Sequence, residues 1–469
     1  MSGLEAVEVR LSELAINKDF RIDSPFHTTQ LKQNVSLKYM RIENCLLESQ
    51  YGISRAMNED GIGYPIYRMN EITNMLCDLH VDKCADISVN DFEKFRLNSG
   101  DVLFNRTNSY EWVGRTGVYY PNEECTPMIF ASYLVRFVPD HTKINAEYLT
   151  VFLSCKYGIT ELRRRARQSI NQTNINPEEV KEIEIPVLST SIQKWIQEQF
   201  QKAHQLRTKA ESLYTSAESL LLSALGLSDF EPSQDPIAIK TLSESLGTSG
   251  RLDAEYYQRK YEDYLQCITT HNPNFIATNT VFNRVHTSLD KTQEFYPYTE
   301  IGDVNIGDGS FTFNVLSAEE LPANAKTQVQ KGDVLVSKVR PNRGAVTIID
   351  RNVPNLIVSG AFTVLRPKAD YPIETLVVLF RTPIYKDWFL KWNVGTSYPV
   401  IKDEDVLNMP IPLFSPSIHK RIVSNVQRSF TLRRRSEHLL DIAKQAVEIA
   451  IEENETKALT FIENQNRCR

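Results

Sequence analysis

Short runs in which apolar residues alternate with polar ones occur twice along this chain, in the same order. The first half carries "SGDVLFNRTNSYEWVGRTG" from Ser99, and the second carries "KGDVLVSKVRPNRG" from Lys331. Gly-Asp predicts a turn, and the alternation after it predicts a buried strand that ends in a polar loop. Upstream, "VEVRLSEL" (7–14) and "IAIKTLSESL" (237–246) read as strands, followed by "RIDSPFH" from Arg21 and "RLDAEYY" from Arg251. Downstream, the strand patterns "IFASYLVRFVPD" (129–140) and "SGAFTVLRPKAD" (359–370) each lead into a helical pattern. "INPEEVKEIEIPV" from Ile175 then matches "IKDEDVLNMPIPL" from Ile401, and both reach an Ile-Pro dipeptide suited to the end of a strand. The repeat therefore covers nearly the whole sequence.

Each copy closes on a long helical pattern, at about 189–226 and 415–453. Seven-residue spacing links Ile196, Ala203, Ala210, Ala217 and Ala224, with Leu206, Leu213 and Leu220 three positions on. The second pattern repeats this with Ile422, Ser429, Ser436, Ala443 and Ala450, beside Leu432, Leu439 and Ala446. Spacings of three and four mark a coiled-coil face, and small residues along one seam let two backbones come close. A helix of this length is roughly 57 Å long at 1.5 Å per residue. Antiparallel pairing of the two would set two globular units at a fixed separation. Gly226 suits a helix C-cap, and Ser415 or Ser417 an N-cap.

These patterns divide the chain into a first globular copy (1–188), a first spacer helix (189–226) and a polar linker (227–236). A second copy (237–413), a second spacer helix (414–454) and a tail (455–469) follow. The expected fold class is α+β: two pseudo-repeated mixed α/β units separated by two long antiparallel coiled-coil helices.

Composition changes this picture little. At 469 residues the chain exceeds one ordinary core. No apolar run reaches the roughly 20 residues needed to cross a bilayer, and the N-terminus has no secretory pattern. Seven scattered cysteines without a C-x-x-C suggest free thiols in a reducing cytoplasm. The net charge of −6 hides clusters of bases at 163–167, 338–343 and 433–435. A locally basic face is therefore compatible with an acidic chain.

Two polar surfaces emerge in each copy. The first follows the Gly-Asp strand: Asn105, Arg106, Asn108 and Arg115 in copy one, Ser337, Lys338, Arg340, Asn342 and Arg343 in copy two. The second precedes the closing strand and reads as a loop. It offers Arg164, Arg165, Arg167, Gln168, Asn171, Gln172 and Asn174 in copy one, and Thr396, Ser397, Tyr398 and Lys402 in copy two. Arginine and lysine can donate to guanine and neutralise phosphates, and asparagine or glutamine can pair with adenine. Catalytic patterns are missing. "NPNF" (272–275) departs from the Asn-Pro-Pro-Phe/Tyr motif of amino-methyltransferases at Asn274, and "GDGS" (307–310) is a turn without the phosphate-loop spacing.

The ordered set resembles the DNA-specificity subunit of type I restriction–modification enzymes. The likeness rests on the two Gly-Asp-Val-Leu strands, the phrases at Arg21 and Arg251, and the Ile-Pro strands at Pro186 and Pro412 leading into "SIQK" (191–194) and "SIHK" (417–420). In that family each globular copy is a target-recognition domain for half of a split duplex DNA site, and the helices set the gap. The resemblance implies a non-catalytic, cytoplasmic subunit that binds no cofactor itself. It implies two methyltransferase subunits carrying S-adenosylmethionine as partners, and leaves open whether two restriction–translocase subunits join with ATP and Mg. Three positions depart from the family's usual pattern. Tyr398 stands where a glutamine is expected, Ser169 where a glycine is, and Asn105 where Ser or Thr is more usual. A coiled-coil scaffold joining protein-binding domains, without DNA, is the alternative.

Overall fold

The computed structural model describes residues 7–15, 20–29, 33–121, 127–169, 172–235, 237–246, 250–286 and 292–467. Contacts group the chain into two compact units: residues 1–208 with 432–469, and residues 209–431. Each unit mixes sheets with helices, as the α+β expectation requires.

Both units contain the same four-strand arrangement. In the first unit the order is Leu46–Tyr51, Leu134–Pro139, Val102–Asn105, Thr116–Val118, extended by two short strands. The second unit repeats it with Phe282–Arg284, Phe362–Pro367, Val334–Ser337 and Val346–Ile348. Neighbouring strands within each four run antiparallel, with Val135 opposite Phe104 and Val364 opposite Leu335. The central Gly-Asp strands are buried along their whole length, hence their near-continuous apolar sequence. The Ile-Pro strands lie apart, paired among the described residues only with Tyr39–Arg41 and Phe275–Ala277, where a missing N–H matters least.

The recurrence of Gly-Asp has a structural cause. Gly100 and Gly332 sit at φ +88° and +95°, which a side chain would resist. The adjoining carboxylates are buried. That of Asp101 accepts from the Asn98 amide at 2.8 Å and pairs with Arg136 at 3.6 Å. Asp333 accepts from the Gln330 amide at 2.9 Å and takes both arms of Arg366 at 2.7 Å. In each unit the aspartate closes a turn and ties the strand to its neighbour.

The long helices span Thr190–Ala224 and Pro416–Glu452. The first ends where Gly226 turns to φ +69° and the Leu227 amide donates to Leu222 at 2.9 Å. Within the first unit the helices are antiparallel: the Ser189 amide meets Glu455 at 3.0 Å, and the Ser436 hydroxyl meets the Ala203 carbonyl at 2.8 Å. The small-residue seam is buried at Ile196, Ala203, Ser436, Ala443 and Ala450 in this unit, and at Ala210, Ala217, Ile422 and Ser429 in the other.

Its flanking row differs from expectation. Leu206, Leu213, Leu220 and Leu432 are only half-buried, although Leu439 and Ala446 are covered. The row four positions on is better buried, through Phe200, Tyr214, Leu221, Val426, Leu440 and Val447, because those side chains also join the domain cores.

Two further expectations fail. No strand forms over 7–14 or 237–246; short helices occupy Leu11–Leu14 and Leu242–Leu246 instead. Thr241 and Glu244 cap each other reciprocally in the second, a Thr-x-x-Glu signal the sequence carries. The residues after Asn454 also form a helix, Glu455–Arg467, which buries Ala458 and Ile462 in the first unit's core. Cys45, Cys77, Cys84, Cys155 and Cys267 are free thiols, while Cys125 and Cys468 lie outside the described residues. Among the described residues no helix is long and apolar enough to cross a membrane.

Candidate nucleic-acid interface

The last residue of each Gly-Asp strand points into the protein. Asn105 is fully buried and donates to the Met69 carbonyl at 3.0 Å. Ser337 is equally buried and donates to the Val339 carbonyl at 2.7 Å. Both were expected on the recognition surface. Both instead lock the root of the loop that follows, because the strand is buried on both faces through to its last residue. The next residues, Arg106 and Lys338, are half-buried. Arg106 lies 5.2 Å over the Tyr51 ring and donates to Ser132 at 3.4 Å. The Lys338 ammonium lies 3.0 Å from Asp403, a carboxylate shared with Arg284 and with the Thr363 hydroxyl.

The two polar surfaces of each copy, distant in sequence, come together. In the first unit the Ile175 amide donates to the Arg106 carbonyl at 2.9 Å. In the second the Ile401 amide donates to the Lys338 carbonyl, also at 2.9 Å. Around this shared bond the first unit builds a three-stranded sheet, Arg167–Gln168, Thr173–Asn174 and Thr107–Asn108, where a loop was expected. The Thr107 hydroxyl donates to the Asn174 side chain across it at 2.7 Å. The second unit makes a single bridge, Val339 to Val400, reinforced by the Arg340 amide donating to Pro399 at 2.7 Å.

Exposure separates the candidates. In the first unit Arg167, Gln168 and Gln172 are exposed, with the neighbouring Arg163 5.8 Å over the Tyr110 ring. Asn108, Arg115, Arg164 and Asn174 are half-buried, and Asn171 lies outside the described residues. Arg165 is buried: it donates to the Glu179 carbonyl at 3.0 Å and pairs with Glu161. Arg164 packs 4.4 Å over Phe26 and also meets Glu161, and burial holds its pKa below the usual arginine value. Arg115 stacks on Trp112, its pKa pushed down to about 10 by burial. Arg167 reaches Glu179 at 2.5 Å. The basic run is therefore largely balanced by Glu161 and Glu179, acids to which sequence reasoning assigned no role.

In the second unit Arg340, Asn342, Arg343, Thr396, Ser397, Tyr398 and Lys402 are all exposed. Arg340 holds a left-handed conformation, φ +50° and ψ 54°, with its guanidinium 5.4 Å from the Tyr398 ring centre. The Asn393 side chain organises the facing loop, accepting from the Gly395 amide at 2.8 Å and the Val400 amide at 3.0 Å. A Cβ on Gly395 would run into the Tyr398 carbonyl. The closing role of Asn393 depends on the bend at Gly395.

Residues 47–212, which hold the first unit's Gly-Asp strand and both its polar surfaces, match the family model of the type I restriction modification DNA specificity domain. The match covers that stretch of the chain. The resemblance drawn from the repeated motifs is thereby borne out. The chain is 31% identical over 146 residues to the putative type I restriction enzyme MjaX specificity subunit of Methanocaldococcus jannaschii, covering 31% of this chain and 34% of that protein. It is 27% identical over 144 residues to the HindI specificity subunit of Haemophilus influenzae, covering 29% and 31%. The EcoKI specificity subunit of Escherichia coli matches at 25% over 150 residues, 32% of each. The matched stretch thus spans about a third of these curated relatives. Among solved structures, the HsdS subunit from Thermoanaerobacter tengcongensis aligns over 90% of this chain and 98% of its own, at 14% identity and TM-score 0.30. The type I S subunit from M. genitalium aligns over 92% and 96%, at 12% and 0.36.

Proposed function

We propose that this chain is the specificity subunit of a type I restriction–modification system, reading a bipartite duplex DNA site. One observation carries the reading. The same bond, Ile175 to Arg106 in one unit and Ile401 to Lys338 in the other, joins two sequence-distant polar segments into one exposed hydrogen-bonding surface. Each unit presents one such surface for one half-site. Arg167, Gln168, Gln172 and the half-buried Asn108 and Asn174 serve the first. Arg340, Asn342, Arg343, Thr396, Ser397, Tyr398 and Lys402 serve the second. Base edges are read by such donors and acceptors, while the same cations hold phosphates.

On this reading the chain performs no chemistry. Two methyltransferase subunits supply S-adenosylmethionine and the transfer step, and restriction subunits using ATP and Mg join where the system also cuts. The long helices set the interval between half-sites, and the complex works in the cytoplasm. The test has two arms. Affinity of the full chain for duplex DNA falls steeply as salt rises if phosphates are contacted. Methylome sequencing of cells with and without the chain shows a split motif that depends on it. Absence of duplex binding at every salt concentration, with an unchanged methylome, rejects the proposal in favour of a protein scaffold.

A further inference from the structure

Near the start of each copy stand an arginine, one residue, and an aspartate: Arg21 and Asp23, Arg251 and Asp253. In both, the guanidinium grips the aspartate with two bonds. Arg21 donates from Nε and Nη2 at 2.5 and 2.6 Å, and Arg251 from the same atoms at 2.7 and 2.6 Å. A guanidinium held in this fork is fixed in plane, and its remaining N–H groups aim in one direction.

They aim at the second polar surface. Arg21 donates to the carbonyls of Arg165 and Arg164 at 3.2 and 3.3 Å, the last residues of a helix whose end carbonyls lack intrahelical partners. Its Nη1 also meets Glu179 at 3.3 Å, the carboxylate whose other oxygen takes Arg167 at 2.5 Å. Arg167 opens the strand pair that carries Gln168 and Asn174. Arg251 donates to the Asn393 carbonyl at 2.8 Å, and the Asn393 side chain closes the loop of Thr396, Ser397 and Tyr398. The two loops differ in sequence and shape, yet the same clamp reaches the root of each.

We propose that Arg21 and Arg251 are positioning residues for DNA recognition, each fixing the pose of the recognition segment of its own unit without touching DNA. The inference rests on the functional reading above and assigns a role to residues outside either polar surface.

The test selects bound duplexes from a random pool with the full chain and four variants, Arg21→Ala, Asp23→Asn, Arg251→Ala and Asp253→Asn. The wild type must first yield a split motif; failure there rejects the functional reading and this proposal together. Given a motif, Arg21→Ala should lower base discrimination about tenfold in one half-site, the scale of one lost base contact, and leave the other intact. Arg251→Ala should do the converse. The Asp→Asn variants keep shape and folding while loosening the fork, and should show the same half-site effect at smaller size. If a variant weakens binding evenly at both half-sites with base preferences unchanged, or has no effect, the positioning role is overturned while the functional reading stands. Arg→Ala chains that fail to fold leave the decision to the Asp→Asn pair.

Discussion

The hydroxyl of Ser429, on the second long helix, donates to the carbonyl oxygen of Ala210 on the first at 2.7 Å, and both residues are fully buried. A serine side chain is short, so this bond requires the backbones to lie close, as the alanines and serines along the seam permit. Ser429→Ala keeps the size and loses one hydrogen bond, a loss of about 1 kcal/mol. Ser429→Leu must push the helices apart and should destabilise by about 2–3 kcal/mol. Urea midpoints measured on the full chain distinguish the two. Equal effects would mean that close approach is not what the seam demands.

Arg340 combines backbone strain with exposure. A non-glycine residue in the left-handed region is disfavoured by about 1–2 kcal/mol, and glycine gives back about 0.5–1 kcal/mol through a freer unfolded chain. Arg340→Gly should therefore leave stability unchanged or raise it by up to about 1.5 kcal/mol, since the amide bond to Pro399 survives. The same change removes the guanidinium from the Tyr398 ring and should relax selection at one half-site. Strain kept at a residue whose removal harms only recognition is the mark of a functional position. Lower stability with unchanged selection would make Arg340 a structural residue.

How much of this was legible depended on the range of the interactions. The long helices were readable to within two residues, because a buried seam repeats every seven positions whatever surrounds it. The Gly-Asp strands were equally plain, since burial on both faces demands apolar runs. Which polar residues face outward was not readable. Arg163, Arg164 and Arg165 are consecutive, yet one is exposed, one half-buried and one buried, as a helix turning about 100° per residue dictates. Asn105 and Ser337 looked like recognition residues and proved internal. The junction of Ile175 with Arg106 depends on pairing across many residues, which local pattern does not encode.

Two histidines predict a pH dependence. Burial lowers the pKa of His204, which packs 5.0 Å from the Tyr120 ring, with Arg207 adding a like charge. Burial also lowers that of His419, which lies 3.0 Å from the Thr375 hydroxyl and is opposed weakly by Asp370. A histidine with a depressed folded pKa favours the fold in its neutral form. Its contribution is present above the unfolded value of 6.5 and is lost as pH falls from there toward the folded value. Urea midpoints should therefore drop between pH 7.5 and 5.5. The drop should shrink in His204→Gln and in His419→Gln, and a flat profile in the parent chain would contradict it.

The proposed spacing role of the helices can be tested by lengthening them in register. Seven residues added after Thr208 in the first helix and after Thr431 in the second preserve the heptad, so the seam from Ala203 to Ala217 keeps its partners. Seven helical residues add about 10.5 Å, against 3.4 Å per base pair of duplex. The spacer of the split motif should grow by about three base pairs, with both half-site sequences unchanged. Insertion in one helix alone breaks the pairing of Ala210 with Ser429 and should abolish motif selection instead. If the doubly lengthened chain selects the parental spacer, the helices do not set the interval, even if both units still read DNA.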